Sequence, residues 1–270
     1  MVIFLSILAL LIISLIVGRM YLFFTFSREV KELFSQSAKL PGKAFHLSQL
    51  SGLPDPVQRY FRHILKEGQR YVNYVRMTHD GQFKTGLEKA WIPIKGEQYA
   101  TTQTPGFIWK GVTSMFTARD MYIGDIGRLV VSIFSLVNIV NVRGEQYNQG
   151  ELLRWLGESV LYPTNLLPGE RLQWLAIDAD SAKLVFSYNG LSLFFIVTFN
   201  DAGEIIQMET ERYMDSKNLE TWVIKIDGYK KINDILVPTI FEVLWRLKKG
   251  DFSYAKFHMK KIQYDKPELF

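Results

Sequence analysis

Residues 182–199 read Ala182-Lys-Leu-Val-Phe-Ser-Tyr-Asn-Gly-Leu-Ser-Leu-Phe-Phe-Ile-Val-Thr-Phe199, and this stretch decides the fold class. Ala182, Leu184, Phe186 and Tyr188 alternate with Lys183, Val185 and Ser187, the period of two that a half-buried strand requires. Asn189-Gly190 is the pair best suited to the left-handed backbone of a tight hairpin, and Leu191 to Phe199 is the return strand.

The same pattern continues on both sides. Toward the C-terminus, Asn200 to Gly203 supplies a turn, and Ile206, Met208 and Thr210 alternate with polar neighbours. Trp222, Ile224 and Ile226 follow in the same way, then Phe241, Val243 and Trp245. A last hairpin turns at Lys249-Gly250-Asp251; beyond it Phe252 and Tyr254 fall out of phase with Phe257 and Met259, which predicts a bulge near Ala255. Arg246 to Lys266 carries seven Lys or Arg against two Asp, expected as edge-strand lysines, with a lipid-facing patch as the alternative. Toward the N-terminus, alternation holds from Tyr71, with turns expected at His79-Asp80-Gly81, Pro93 to Gly96, Thr104 to Gly106 and Gly124 to Gly127. Trp91, Tyr99, Phe107, Trp109, Phe116 and Tyr122 enrich this half in aromatics, fit for core packing or for lining an apolar cavity.

Four segments depart from strand periodicity. Residues 129–142, LVVSIFSLVNIVNV, would cover only ~21 Å as a helix, too short to span a membrane. Val130, Ile133, Phe134, Val137 and Val140 share one helical face, so a buried or interfacial helix is expected, with a core strand as the alternative. From Asn148, which stands three residues before Glu151 as in a capping box, a second helix buries Leu152, Trp155, Leu156 and Val160 and stops before Pro163. Its opposite face carries Glu151, Arg154 and Glu158, spaced so that Arg154 pairs with both carboxylates and holds their acidity constants low. With Arg143 these form a polar motif. Residues 54–66 make a short amphipathic helix whose polar face, Arg59, Arg62, His63 and Lys66, is a solvated face or a contact for anionic headgroups. Residues 1–26 hold one charge, Arg19, and are long enough for a transmembrane helix; a cleaved signal peptide fits less well, because the apolar run resumes after Arg19 and no A-x-A-like site follows. Arg28, Lys31, Lys39 and Lys43 follow the span, which on a positive-inside count places the domain in the cytoplasm; one span is a weak basis for that count, and the side stays open.

The domains expected are therefore an anchor at 1–26, a juxtamembrane linker at 27–53 and a single β-rich domain at 54–270. The fold class is α+β: a curved antiparallel sheet of about ten or eleven strands, an unclosed half-barrel, with two or three short helices.

Composition narrows the chemistry. The 270 residues include no cysteine, which excludes disulfides, thiolate metal sites and thiol nucleophiles. The formal charge of +5 falls to +4 outside the anchor, 31 Lys and Arg against 27 Asp and Glu, a balance that suits a membrane surface better than a nucleic acid. His46, His63, His79 and His258 make no metal-binding spacing, and no Walker loop, G-x-S-x-G elbow or dinucleotide fingerprint is present. Asp178-x-Asp180 reads as turn chemistry. Glu151 and Glu158 lie ~10.5 Å apart along a helix, long for a cooperating acid and base. No catalytic residue, metal or cofactor is assigned.

Several spaced motifs carry a resemblance. Leu53-Pro-x-Pro-Val-x-Arg-Tyr-x-Arg-His63, Gly81-x-Phe83, Phe107-x-Trp109, the run from Arg143-Gly through Gly150-Glu-Leu-x-Arg154-x-Leu-x-Glu158, Pro163 through Leu166-Leu-Pro168, and Val237-Pro238 with Glu242-Val-x-Trp245 together resemble a family of uncharacterised bacterial proteins with an N-terminal membrane anchor. Leu161 departs from the aromatic expected there. The strand count and central helices are also similar to the half-barrels of bacterial lipoprotein carriers and receptors, whose concave face shelters an acyl chain. That comparison implies a membrane-tethered, non-enzymatic protein holding an apolar or acyl ligand, with Trp109, Tyr122, Phe134, Trp155 and Trp174 as candidate lining residues. The partners implied are membrane lipid and an acylated or membrane protein. An assembly subunit without ligand and an enzyme using Glu151, Arg154 and Glu158 are the alternatives.

Overall fold

The computed structural model describes residues 2–37 and 42–270; Lys39, counted above among the basic residues after the span, lies outside them. A helix, α1 (Val2–Ser35), is followed by a 3-10 turn at Leu47–Leu50 and by α2 (Asp55–Ile64). Six strands come next: β1 (Tyr74–Phe83), β2 (Ile92–Thr101), β3 (Gly106–Val112), β4 (Phe116–Ile123), β5 (Ile126–Ile133) and β6 (Val137–Arg143). After α3 (Glu145–Glu158) and two 3-10 turns come β7 (Leu172–Ala176), β8 (Ser181–Tyr188), β9 (Leu191–Phe199), β10 (Ile205–Tyr213) and β11 (Leu219–Asp227). A small ribbon, β12 (Lys230–Ile232) and β13 (Ile235–Val237), precedes β14 (Ile240–Leu247) and β15 (Gly250–Tyr264).

All but the ribbon join one antiparallel sheet of thirteen strands in the order β6-β5-β4-β3-β2-β1-β15-β14-β11-β10-β9-β8-β7. Two meanders are thus sewn together where β1 pairs with β15, and α3 carries the chain from one edge strand to the other. From β5 to β10 there are eight strand spacings, ~38 Å in a flat sheet, yet α3 packs against both strands. The sheet is therefore strongly curled, and α3 lies along its concave face. Two glycines permit that approach: a Cβ on Gly127 of β5 would stand 2.3 Å from the Tyr147 carbonyl oxygen, and one on Gly157 of α3 would stand 2.6 Å from Ile224 Cδ1.

Residues of opposite phase face outward. Tyr99, Ile108 and Met121 form a second small core with Phe26, Val30 and Leu33, so the last turns of α1 pack on the face opposite α3. The Arg119 guanidinium donates to the Glu29 carboxylate in a buried ion pair there. Val2 to Val17 remain exposed, and α1 is long and apolar enough to cross a membrane.

Several expectations change. Residues 129–142 are the β5–β6 hairpin, not a helix, which together with the β12–β13 ribbon explains why more strands form than anticipated. The run lacks alternation because Leu129, Val131 and Ile139 meet an apolar cavity while Leu136 and Val137 are exposed, and its turn carries Phe134-Ser135 in place of Asn-Gly. His79 to Gly81 and Pro93 to Gly96 lie inside β1 and β2. Pro93 is tolerated because β3 pairs with β2 only from Lys95 onward. The C-terminal lysines are not on an edge: β15 is central, and Lys256 and Lys260 pair with Glu242 and Asp80. α3 starts at Glu145, and Asn148 accepts a hydrogen bond from Gly127 N at 2.8 Å rather than capping the helix. The Asn189-Gly190 hairpin, the Asp178 turn and the bulge opposite Val243/Leu244 form as read.

Candidate functional site

Between α3 and the strands β1–β6, β10, β11, β14 and β15 lies a cavity of ≈ 930 Å³. Alternation supplies its wall: Met77, Trp109, Ala118 and Val131 point inward from β1, β3, β4 and β5, and Val243 and Trp245, two residues apart, from β14. The wall is mainly apolar, within the size range of small-molecule sites.

One side differs. The charged face of α3 is turned into the concavity, where Gln98, Asp120 and Arg212 meet it from β2, β4 and β10. Arg154 donates from Nη1 to Asp120 Oδ2 at 2.5 Å, from Nε to Glu158 Oε1 at 2.8 Å and from Nη2 to Gln98 Oε1 at 3.3 Å. Its guanidinium also stacks over Phe107 and Trp109, 4.9 and 5.0 Å from the ring centroids. Burial opposes its charge, but the carboxylates of Glu158, Asp120 and Glu151 outweigh it and raise its pKa. Glu151 does not pair with Arg154 as expected; its Oε1 accepts from Arg212 Nη2 at 3.2 Å. Its pKa is raised, not depressed, because burial and the neighbouring Asp120 outweigh the two arginines. Glu151 Oε2 and Asp120 Oδ1 are both buried and lack donors.

A second polar pair sits in the floor. Trp109 Nε1 donates to His79 Nε2 at 2.8 Å, placing the proton of the neutral ring on Nδ1. Burial, with Arg154 adding to it, lowers the His79 pKa to about 4. The ring is seated on Gly96, where a Cβ would come within 1.9 Å of Nε2.

Of the sequence candidates, Trp109 and Phe134 line the cavity, as do Glu151, Arg154 and Glu158. Tyr122, Trp155 and Trp174 are core residues; Trp155 Nε1 donates to Thr101 O at 2.7 Å and Trp174 Nε1 to Leu166 O at 2.9 Å. Arg143 is exposed at the end of β6, opposite Arg128. On α2, Arg59 and His63 lie 3.6 and 3.9 Å from Asp180 and Glu204 and Arg62 bonds to Gln58; just beyond the helix, Lys66 lies 3.4 Å from Asp234. Sequence reasoning missed Gln98, Asp120, His79 and Arg212. Each is a polar residue in the buried phase of a strand, in step with Ala100, Ala118, Met77 and Met208, and that signal could have found them. Among the described residues no group of three His, Asp or Glu is placed to hold a metal ion.

The profile of DUF6544, a family of unknown function, matches residues 43–257. No curated protein matches the chain. Among solved structures, a LolA-superfamily protein from Nitrosomonas europaea is similar at 12% identity and a TM-score of 0.45, over 77% of this chain and 91% of that one. A domain described as an outer membrane lipoprotein-sorting protein, from Vibrio parahaemolyticus, is similar at 11% identity and a TM-score of 0.41, over 72% and 86%.

Proposed function

The chain belongs to the DUF6544 family, and we propose that it is a membrane-tethered binding protein whose curled sheet holds the apolar chain of a lipid or acylated ligand. The observation that carries this reading is the ≈ 930 Å³ cavity, apolar over most of its wall and bounded on one side by the ion-paired network of Arg154 and Arg212. An apolar space of that size left unfilled by side chains costs packing energy in a protein that does not use it. Arg154, the group best placed to act as an electrophile, is committed to Asp120, Glu158 and Gln98, and Glu158 also accepts from Gln98, which favours binding over chemistry. Tethering is supported by α1, whose exposed apolar turns continue without a break into turns that supply Phe26, Val30 and Leu33 to the core.

The test is mass spectrometry of lipid retained by the full chain after extraction in an amphipathic polymer, compared with a variant whose cavity is filled by Ala118→Phe. Acyl lipid retained by the native chain and lost in the variant is expected. Equal lipid content in both would contradict the reading.

A further inference from the structure

The turn between β5 and β6 joins three features that otherwise have no common explanation. First, it is apolar and exposed: Phe134 is 55% exposed, Leu136 47%, Val137 61% and Ile139 56%. Second, it touches α1 where the uninterrupted apolar run ends. A Cβ on Gly18 would stand 2.6 Å from Leu136 Cδ2 and 2.9 Å from Ser135 O, so that glycine is what admits the turn. Gly18 lies eight residues before Phe26, the first core residue of the helix, so the tip reaches ~12 Å along α1 beyond the body of the fold. Arg19 beside it is exposed, and a cation next to an apolar span is stable in a bilayer where it reaches the headgroups, a level that would set the tip at the headgroup–acyl boundary. Third, Ile133, Phe134, Ile139 and Val140 also line the cavity, joined by Met115, whose carbonyl accepts a hydrogen bond from Phe134 N at 3.1 Å.

The backbone marks the turn as well. Phe134 and Ser135 both have left-handed conformations, φ 52° and 64°, which Asn-Gly adopts at far lower cost. An aromatic kept at such a position serves something other than the hairpin. Phe is among the side chains that segments lying in the membrane interface bury at the headgroup–acyl boundary.

Resting on the cavity reading above, we propose that this hairpin tip is embedded in the bilayer beside α1 as the sill of a lateral opening, over which the acyl chain of a membrane lipid passes directly from the leaflet into the cavity. Continuity of the apolar surface from α1 across the tip and into the cavity wall selects a bilayer over a protein as occupant.

The chain has no cysteine, so a single introduced one is a unique labelling site. Phe134→Cys, Val137→Cys and, in the β9–β10 turn, Asp201→Cys are labelled with an environment-sensitive nitrobenzoxadiazole probe in the full chain. Each is reconstituted in vesicles of phosphatidylcholine and phosphatidylglycerol, with and without brominated acyl chains. Blue-shifted emission and strong bromine quenching at 134 and 137 but not at 201 are expected. In parallel, vesicles carrying a diazirine at the end of a phosphatidylcholine acyl chain should label peptides containing Trp109 or Val243. Joint replacement Phe134→Asp and Val137→Asp should lower that labelling by roughly tenfold, the effect of charge placed at the acyl boundary. Probes that read water while the cavity still labels would overturn the opening, leave the cavity reading standing and point to a protein on the tip. Bilayer-embedded probes with an unlabelled cavity would overturn both.

Discussion

The two halves of the concave face are built from the same alternating strands, and they end differently. Over β7, β8 and β9 the surface is filled: Tyr60 and Phe61 of α2 pack on Phe199 and Trp174, and Trp155 of α3 packs on Phe186. No residue of these three strands borders the cavity. Over β1 to β5 equally apolar strands face open space, because α3 turns toward them its charged side in place of its apolar one. Side-chain composition therefore does not decide between core and cavity here; the orientation of one helix does. A salt-bridged wall cannot be pressed into apolar packing without burying unpaired charge, so the network props the cavity open.

That contrast can be broken most forcefully at Arg154. Arg154→Ala leaves Asp120 and Glu158 without their cation and is expected to cost about 4 kcal/mol in denaturant unfolding, since one member of a buried network is lost. A loss near the value of an exposed pair, below about 1 kcal/mol, would mean that the wall is soft. Next come paired truncations. Phe195→Ala in the filled half should cost about 3 to 4 kcal/mol, whereas Val131→Ala, which borders the cavity, should cost less than about 1. Equal losses per atom removed would erase the distinction.

His79 sharpens the contrast through pH. Burial holds its pKa at about 4 against 6.5 in the unfolded chain, so the folded protein refuses a proton that the unfolded chain accepts. Its contribution is complete above pH 6.5 and is lost as pH falls toward 4, by about 3 kcal/mol in all. Stability measured across that window should fall more steeply for the native chain than for His79→Gln. The smallest effect is expected at the exposed turn: replacing Phe134-Ser135 with Asn-Gly relieves two left-handed residues and should raise stability by about 1 kcal/mol while weakening association with vesicles. Lower stability would show that Phe134 serves the fold after all.

Much of this architecture is legible in the sequence. Asn189-Gly190, the Asn200 to Gly203 turn and the Phe252 phase slip each constrain the backbone locally, so hairpins, turn and bulge could be placed from residues alone. The β5–β6 hairpin could not, because its turn residues are chosen against backbone preference and its strands are apolar on both faces. The charged triplet on α3 was legible as a face, but its direction was not. Exposure was the default for three charges at helical spacing. Asp120, Gln98 and Arg212, distant in sequence, reverse that default by supplying partners inside. For the same reason the acidity of Glu151 was misjudged: its sign depends on a burial that only the curled sheet creates.

The central claim is that acyl chains occupy the open half and not the filled one. All six tryptophans lie at or beyond residue 91, outside α1, and Trp109, Trp222 and Trp245 border the cavity while Trp155 and Trp174 belong to the filled side. Tryptophan emission of the full chain should therefore be quenched in vesicles of brominated phosphatidylcholine, and the quenching should vanish when Trp109, Trp222 and Trp245 are changed to Phe. Unquenched emission in the native chain, or quenching that survives the triple replacement, would contradict the account.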